Sequence, residues 1–496
     1  MRASQRSRLL RAVAAGLLLL ALATLHHAPL APRGQTFIQK VMLPYWRTRR
    51  QAPFSALVDD VSSLNDATLR AEFDKVINLA QFDDSAKYKI VSNFAIANQD
   101  FSQEPACVAV QISLNHVSKL LEFVMHWPAA ISLSLFAAGT DFYFAVLYIR
   151  FLRKCFPRIR NQVTWHLAFP TRMTPNVSDL ELLRVDFECS ASLDELDKFM
   201  AGVPRDYREV ARRRRGVKYP QNVLRNVARR GCRSEWVVCP DVDMVFPRSG
   251  NTYESLAAFL RKSETNRCQM CAFVFPVYEI ENKDHVVPKD KHDLLQFVAN
   301  NSARQYHIEV FEPNQACSKL KNWEAIARNN SAESTEVRVA YEVKYKFWYE
   351  PVYVTKQGSP KFDERYVGYG MTRNTQALEM ALSGYRFFLL DNTFLSHLWG
   401  FQHKNRSDLA RSRQTSHNHR LFCSQHVREL AVRFDSDKFK LLKMQHRYYT
   451  QFKIAVQQST KQINLRFHPD YFNFEDLNNT MDGYDNYVQP AFDGNS

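Results

Sequence analysis

The sequence predicts an α/β fold in which a mostly parallel central sheet is flanked by helices. An apolar strand pattern at residues 107–113 is followed directly by helical spacing at 116–127, and a second strand pattern occupies residues 163–168. Strands that alternate with helical stretches are typical of βαβ units. Hydrophobic residues make up 45% of the 496-residue chain, which is enough for a sizeable core.

The N-terminus combines an arginine-rich start with an apolar run, a pattern typical of membrane targeting. We interpret residues 1–8 as a cytosolic tail, 9–25 as a signal-anchor transmembrane helix, and 26–100 as a stem and the first elements of the body. The run is short, as expected for a thin early-secretory membrane, and a cleavable signal peptide remains the alternative. The positive-inside rule places the rest of the chain in the lumen.

Glycosylation sequons and cysteines agree with a lumenal body. Disulfides are permitted in that compartment, and the odd count of nine cysteines leaves at least one outside any intramolecular pair. One C-x-x-C, Cys268 and Cys271, lacks the second ligand pair that a zinc site needs. The N-x-S/T sequons begin at Asn176, Asn300, Asn329, Asn405 and Asn478.

The chain carries a formal net charge of +15, and residues 205–215 are strongly basic. In a cytosolic protein such a run would suggest nucleic-acid binding. In a lumenal protein that interpretation loses its meaning, so we expect no nucleic-acid partner. A solvated helix end and a patch that steers an anionic substrate remain as alternatives.

Two carboxylates, Asp241 and Asp243, follow the short apolar strand pattern Trp236–Val238. Ligands of open α/β sheets bind beyond the carboxyl ends of the strands. Paired carboxylate oxygens suit Mn²⁺ or Mg²⁺, and such a metal can hold the two phosphates of a sugar nucleotide. With 14 glycines and no glycine-rich phosphate loop, the chain would depend on a metal for this task. A solvated turn is the alternative.

A predicted helix, Tyr219–Arg229, leads into that strand. Its polar residues recur at three- and four-residue spacing, so that one edge could face a nucleotide, whereas an ordinary amphipathic helix would show the same pattern. They are Asn222, Arg225, Asn226 and Arg229.

A second site-like stretch runs from Phe362 to Met371, where Gly368 and Gly370 flank Tyr369 and permit a tight turn close to a ligand. Further on, His397 lies in a strand-like segment. It is either a packed histidine or a third metal ligand beside the two aspartates.

These motifs, taken together and in this order, resemble the LARGE-type glycosyltransferase family over residues 100–435. The resemblance implies a GT-A fold in a single-pass type II protein of the Golgi membrane. It implies inverting transfer of glucuronic acid from UDP-glucuronate to a xylose-bearing glycan, as on dystroglycan, with Mn²⁺ at Asp241, Asp243 and His397. The motifs are Tyr219-Pro-x-Asn-x-x-Arg-Asn-x-Ala-Arg229, Asp241-Val-Asp243, Phe362-Asp-Glu-Arg-x-Val-Gly-Tyr-Gly370 and the segment from Glu379 to His397.

The resemblance assigns residues 101–435 to the catalytic domain and leaves 436–496 as a partly flexible extension. Galactosyltransferases with a similar turn place acidic residues directly after it, one of them serving as base, whereas this chain has Met371–Asn374 there. We therefore expect the base to be Asp363 or Glu379. The expected donor-binding residues are Asn222, Arg225, Asn226, Asp241 and Arg373.

Three partners are expected: a UDP-sugar donor, a glycan on a glycoprotein, and the membrane through the anchor. A complex with another glycosyltransferase is a further option. A UDP-N-acetylglucosamine transferase of the same fold and a non-catalytic lumenal glycan-binding protein are the alternative functions.

Overall fold

The computed structural model describes residues 54–59, 61–193, 195–196, 198, 217–248, 251–281, 286–329, 336–398, 400–402 and 409–435. The predicted tail and anchor (1–25), the basic run (205–215) and the extension (436–496) lie outside these residues. Within the described ranges, no helix is both long enough and apolar enough to span a bilayer. The anchor therefore stays a prediction.

Fourteen described strands form two sheets. The strands are β1 Gln81–Phe82, β2 Tyr88–Ala95, β3 Ala106–Ser113, β4 Ile131–Phe136, β5 Val163–Pro170, β6 Trp236–Val238, β7 Met244–Val245, β8 Cys271–Phe275, β9 Val277–Ile280, β10 Ala303–Gln305, β11 Arg338–Val343, β12 Val352–Lys356, β13 Arg386–Asp391 and β14 Leu395–His397. The central sheet has the order β1-β2-β5-β4-β3-β6-β12-β8-β13-β11, and the small sheet has the order β10-β9-β14-β7.

The α-helices pack around these sheets. They are α1 Ser55–Asp59, α2 Asp66–Leu79, α3 Val117–Met125, α4 Asp141–Cys155, α5 Pro157–Gln162, α6 Gln221–Gly231, α7 Thr252–Arg261, α8 Ser263–Arg267, α9 Lys291–Ala299, α10 Ile308–Phe311, α11 Leu320–Asn329, α12 Asn374–Leu382, α13 Leu409–Leu421 and α14 Val427–Arg433. A π-helical turn, Phe422–His426, joins the last two. Asn65 caps α2 by accepting a hydrogen bond from the Thr68 amide at 2.9 Å.

The α/β class is confirmed, but the prediction of a mostly parallel sheet is wrong. Strands β5, β4, β3 and β6 are parallel, whereas β12 pairs antiparallel with both β6 and β8. The sheet is therefore mixed. A buried strand has the same apolar pattern in either direction, so the local sequence does not reveal that β12 runs against its neighbours.

Two stretches differ from what their local sequence pattern indicates. The apolar run Met270–Tyr278 has the pattern of a single strand, but Pro276 divides it into β8 of the central sheet and β9 of the small sheet. Proline lacks the N–H that a continuous ladder would use. The polar segment 281–340 has a composition typical of loops, yet it contributes α9, β10, α10 and α11.

Three disulfides form among the described residues. Cys107 in β3 bonds to Cys232, which directly follows α6, and thereby ties that helix to the central sheet. The other pairs are Cys155–Cys189 and Cys268–Cys271. Cys239, Cys317 and Cys423 lie outside these three pairs.

Helix α6 is buried on both sides. Val223, Leu224 and Val227 pack against the central sheet, and the Ser134 hydroxyl donates to the Leu224 carbonyl at 2.7 Å. The opposite face consists of polar side chains, which are buried beneath the loop that precedes α12. These side chains therefore need partners in that loop.

The end of α6 gives a stability prediction. A Cβ atom at Gly231 would overlap the His166 ring and the Ser132 hydroxyl. We expect Gly231→Ala to lower the free energy of unfolding by about 1–3 kcal/mol, as overpacking of a core does. Gly358→Ala is the matched control, because a Cβ there meets open space. Thermal unfolding of both variants tests this, and an unchanged midpoint for Gly231→Ala would contradict it.

Candidate active site

Asp241 and Asp243 lie where the chain crosses from β6 of the central sheet to β7 of the small sheet. The Met244 amide closes the turn between them by donating to the Asp241 carbonyl at 3.0 Å. In the antiparallel pairing of β14 with β7, His397 is the register partner of Met244. Sheet register therefore brings His397 beside Asp243, although about 150 residues separate them in the chain.

The Asp241 carboxylate accepts hydrogen bonds from three side chains. Its Oδ1 accepts hydrogen bonds from Arg373 Nη2 at 2.8 Å, Arg225 Nη2 at 3.1 Å and Gln111 Nε2 at 3.3 Å. Loss of hydration acts to raise the pKa of Asp241, but the two guanidinium groups outweigh it and hold the pKa well below its usual range. The side chain keeps 27% of its surface exposed, so the group is charged and open to a ligand.

Asp243 has a separate set of partners. Its Oδ2 accepts a hydrogen bond from Lys119 Nζ at 3.0 Å and lies 3.7 Å from His397 Nε2. Loss of hydration is again outweighed, here mainly by His397 and Lys119, so the pKa of Asp243 is lowered. Its side chain is 24% exposed.

The predicted metal ligands are brought together only in part. Asp243 and His397 are adjacent, whereas Asp241 is engaged by arginines. No group of three or more acidic, histidine or cysteine side chains in the described ranges is arranged to hold a metal. A carboxylate and an imidazole are still donors that suit Mn²⁺. The Nδ1 atom of His397 is buried without a hydrogen-bond partner among the described residues.

The two arginines on Asp241 come from different elements. Arg225 lies on the polar face of α6, where its Nη1 donates to Asn222 Oδ1 at 3.0 Å and its guanidinium lies 5.4 Å from the Phe362 ring centre. Arg373 immediately precedes α12, and its Nη1 donates to the Cys239 carbonyl at 2.8 Å. Both are nearly buried, with side-chain exposures of 6% and 10%.

The other polar residues of α6 bind the backbone of the loop before α12. Asn222 Nδ2 donates to two loop carbonyl oxygens at 2.9 and 3.0 Å, and Asn226 Nδ2 donates to the Phe362 carbonyl at 2.8 Å. Arg229 Nη1 donates to the Pro360 carbonyl at 2.9 Å. The structure thus gives these residues a role in positioning the loop, and contact of Asn222 or Asn226 with a donor stays a prediction.

The two carboxylates predicted as bases are paired elsewhere. Asp363 accepts hydrogen bonds from Arg365 at 3.0 Å and lies 3.4 Å from His426 Nδ1, and these partners outweigh its loss of hydration and lower its pKa. Glu379 accepts a hydrogen bond from Arg433 at 2.7 Å. The His426 contact joins the loop before α12 to the C-terminal helices, and the Arg433 contact joins α12 itself to them.

Glu350 is a carboxyl group that the sequence interpretation missed. Loss of hydration raises its pKa, and the charges of Arg373, Arg225 and Asp241 all act on it. It is the acidic residue of the aromatic run 345–354, whose composition is typical of a core segment. A lone carboxylate before a proline in such a run was the available signal.

The site contains three further side chains that no local sequence pattern marks: Tyr306, Lys119 and Gln111. The Tyr306 ring centre lies 5.5 Å from that of His397, and loss of hydration together with the charges of Asp241 and Asp243 raises the pKa of its phenol. Lys119 lies on α3 and Gln111 on β3, and only the fold brings them to the aspartates.

Comparison with solved structures gives only low similarity. GalNAc-T7 with UDP, GalNAc and Mn²⁺ aligns at a TM-score of 0.31 and 10% identity, covering 92% of this chain and 64% of that one. S. aureus TarS 1–349 aligns at a TM-score of 0.32 and 11% identity, covering 74% and 76%. These scores are too low to assign a function.

Sequence relatives are more informative. Beta-1,4-glucuronyltransferase 1 of Bos taurus is 32% identical over 330 residues, which cover 65% of this chain and 73% of that protein. The Danio rerio protein of the same name is 27% identical over 334 residues, covering 64% and 73%. Xylosyl- and glucuronyltransferase LARGE2 of Mus musculus is 22% identical over 309 residues, covering 62% and 36%.

The family model described as glycosyl-transferase for dystroglycan matches residues 105–435. This range contains both aspartates, both arginines and His397, and it covers most of the described structure. The chain therefore belongs to this family, which groups it with the beta-1,4-glucuronyltransferases and LARGE proteins, and it is a glycosyltransferase.

Proposed function

We propose that the chain transfers glucuronic acid from UDP-glucuronate to a xylose-bearing glycan acceptor, with inversion and with Mn²⁺ or Mg²⁺ as cofactor, within a GT-A fold. The observation that carries the proposal is the pairing of Arg225 and Arg373 on the single carboxylate of Asp241. It is also supported by the relatives that are named glucuronyltransferases.

The charge of the site fits a strongly anionic donor. UDP-glucuronate carries a carboxylate in addition to its diphosphate, and one divalent cation offsets only part of this charge. Three cationic side chains, Arg225, Arg373 and Lys119, surround the two aspartates. Because a guanidinium matches a carboxylate with two parallel hydrogen bonds, an arginine at Asp241 suits the glucuronate group.

Asp243 and His397 are the residues that would hold the metal, with Asp241 beside them. A bound Mn²⁺ would stabilise the negative charge of the departing diphosphate as a Lewis acid. The chain's own contribution is to orient these ligands through the β7–β14 register, and Lys119 beside Asp243 would supply a positive charge for the diphosphate.

Glu350 is the base that the electrostatics favour. An inverting displacement needs a group that removes the proton of the acceptor hydroxyl. The charges of Asp241, Arg225 and Arg373 act on the Glu350 carboxyl group, and burial raises its pKa. The raised pKa makes Glu350 a stronger base than an ordinary glutamate. Asp363 and Glu379 are committed to ion pairs with arginines.

A UDP-N-acetylglucosamine transferase of the same fold is the second candidate. Its donor sugar is neutral, so it would leave one of the two arginines without an anionic partner in the donor. The non-catalytic alternative falls away, because the family consists of enzymes that transfer sugars.

We also propose that the body lies in the Golgi lumen behind the anchor at residues 9–25. The three disulfides support an oxidising compartment. Asn176 and Asn300 are exposed sequons. We expect glycosidase treatment to reduce the apparent mass and intact microsomes to protect the body from added protease. An unglycosylated, protease-accessible body would contradict this location.

If an arginine binds the glucuronate carboxylate, its removal should weaken UDP-glucuronate binding more than UDP binding. Arg225→Met or Arg373→Met should raise the Michaelis constant for UDP-glucuronate by about 30-fold more than the inhibition constant of UDP, equivalent to ~2 kcal/mol, because UDP lacks the carboxylate. Arg229→Met is the control, since Arg229 binds loop backbone. Steady-state kinetics test this, and equal changes for both ligands in both variants would exclude these arginines as carboxylate partners.

The base proposal predicts a pH effect. Glu350 must be ionised to act, so its raised pKa places the acidic limb of the kcat/KM profile above the ordinary glutamate value of about 4.3. Activity is lost as pH falls through that raised pKa. Glu350→Gln should lower kcat about 10²–10⁴-fold and remove this limb while UDP binding is retained.

Glu379→Gln is the matched control for the base, because that carboxylate is paired with Arg433. If Glu379→Gln or Asp363→Asn removes the acidic limb and Glu350→Gln does not, the base is one of the two residues expected from the sequence.

A further inference from the structure

The Gly-Tyr-Gly turn, residues 368–370, presents an aromatic ring to solvent from a tightly built backbone. Gly368 and Gly370 have φ angles of 78° and 83°, and Met371 has a φ of 62°. Tyr369 is 50% exposed, while the flanking Tyr366 and Met371 are 0% and 1% exposed. The ring thus faces outward from a buried, conformationally strained segment and not from a loose loop.

Helix α13 fixes this turn. Asn418 is completely buried, and its Nδ2 lies 3.1, 3.0 and 3.0 Å from the carbonyl oxygens of Val367, Tyr369 and Gly370. Gln414 of the same helix accepts a hydrogen bond from the Tyr369 amide at 3.3 Å. A Cβ at Gly368 would meet the end of the Gln414 side chain, and the φ of 78° at this position favours glycine in addition.

A second set of contacts secures the same loop to the helices that follow. Arg365 bridges Asp363 and Glu429, and the Tyr366 hydroxyl lies 2.8 Å from His426 Nδ1. His426 belongs to the π-helical turn between α13 and α14, a type of distortion that is frequent at functional sites. The C-terminal helices therefore set the conformation of the turn.

The turn is linked to the aspartate cluster through the start of α6 and the tyrosine that precedes it. The Gly368 amide donates to Gln221 Oε1 at 3.0 Å, and Gln221 begins the helix that carries Arg225. The Tyr219 hydroxyl donates to Gln111, whose amide in turn donates to Asp241 at 3.3 Å. Arg373 follows the turn after three residues. The backbone that carries Tyr369 is therefore bound to the start of the helix that carries Arg225, and it continues within three residues to Arg373.

We propose that Tyr369 is the platform of the acceptor subsite, on which a pyranose ring of the glycan stacks, and that Asn418 is the positioning residue that holds it. A pyranose has an apolar face of C–H groups, which packs against an aromatic face, while its hydroxyls remain free for hydrogen bonds. This inference rests on the proposed function, since it assigns the acceptor side of that same site.

The first experiment compares Tyr369→Ala with Tyr369→Phe. Saturating UDP-glucuronate is used while the concentration of a xylose-terminated oligosaccharide acceptor is varied. Tyr369→Ala should raise the acceptor KM by about tenfold, equivalent to ~1.4 kcal/mol, with the donor KM and UDP affinity unchanged. Tyr369→Phe should retain wild-type values, because stacking needs only the ring. Phe82→Ala is the control, since Phe82 is 59% exposed on the edge strand β1.

The second experiment removes the support. Asn418→Ala should raise the acceptor KM in the same way, while calorimetric UDP binding stays at the wild-type level, a split that general loss of folding would not produce. Addition of Tyr369→Ala to this variant should have little further effect. If Asn418→Ala does not fold, the comparison of Tyr369→Ala with Tyr369→Phe tests the acceptor platform by itself.

A binding measurement keeps this inference separate from the choice of donor. Saturation-transfer NMR with the xylose-terminated oligosaccharide in the presence of UDP should show contact with wild type and Tyr369→Phe and none with Tyr369→Ala. Equal signals for wild type and Tyr369→Ala, or parallel losses of UDP binding and acceptor binding, would overturn the acceptor platform. A different preferred donor would overturn the proposed function and leave this result in place.

Discussion

The structure around the site depends on the carboxylate of Asp241 and the two guanidinium groups that contact it. One arginine comes from α6, the other from the loop before α12, and the aspartate follows β6. Two neighbouring segments of the chain and a third that lies 132 residues from Asp241 are thus joined at one carboxylate oxygen. Removal of the aspartate would leave two nearly buried cations without their shared counter-charge, which is a costly state in a protein interior.

This junction also explains why the polar face of α6 is buried. A helix packed on a sheet normally turns its polar side to water. Here Asn222, Asn226 and Arg229 are covered by the loop before α12, and each satisfies loop carbonyl groups. The loop itself is held from its other side by Asn418 and by the Arg365–Glu429 pair. The same hydrogen bonds that stabilise the fold therefore position Arg373, and with it the charge at the site.

The sequence predicts best what depends on local pattern. Strand β6 lies at the predicted residues 236–238, and the two aspartates follow that strand as expected. It fails where distant segments meet. The antiparallel direction of β12 and the proximity of Lys119 and Tyr306 to the aspartates follow from topology, which a local apolar pattern does not contain. Asn418 has the appearance of any polar residue in a basic helix, and only the completed fold shows that it binds the Gly-Tyr-Gly turn.

The proposed metal-dependent transfer of a charged sugar at the Asp241–Asp243 site can be measured with purified protein. The most direct test measures UDP release by the purified protein from UDP-glucuronate and from UDP-N-acetylglucosamine, with a xylose-terminated acceptor, in Mn²⁺ and after EDTA treatment. We expect UDP-glucuronate to be the preferred donor, EDTA to abolish turnover, and added Mn²⁺ to restore it. Preference for UDP-N-acetylglucosamine, or full turnover in EDTA, would contradict this account of the site.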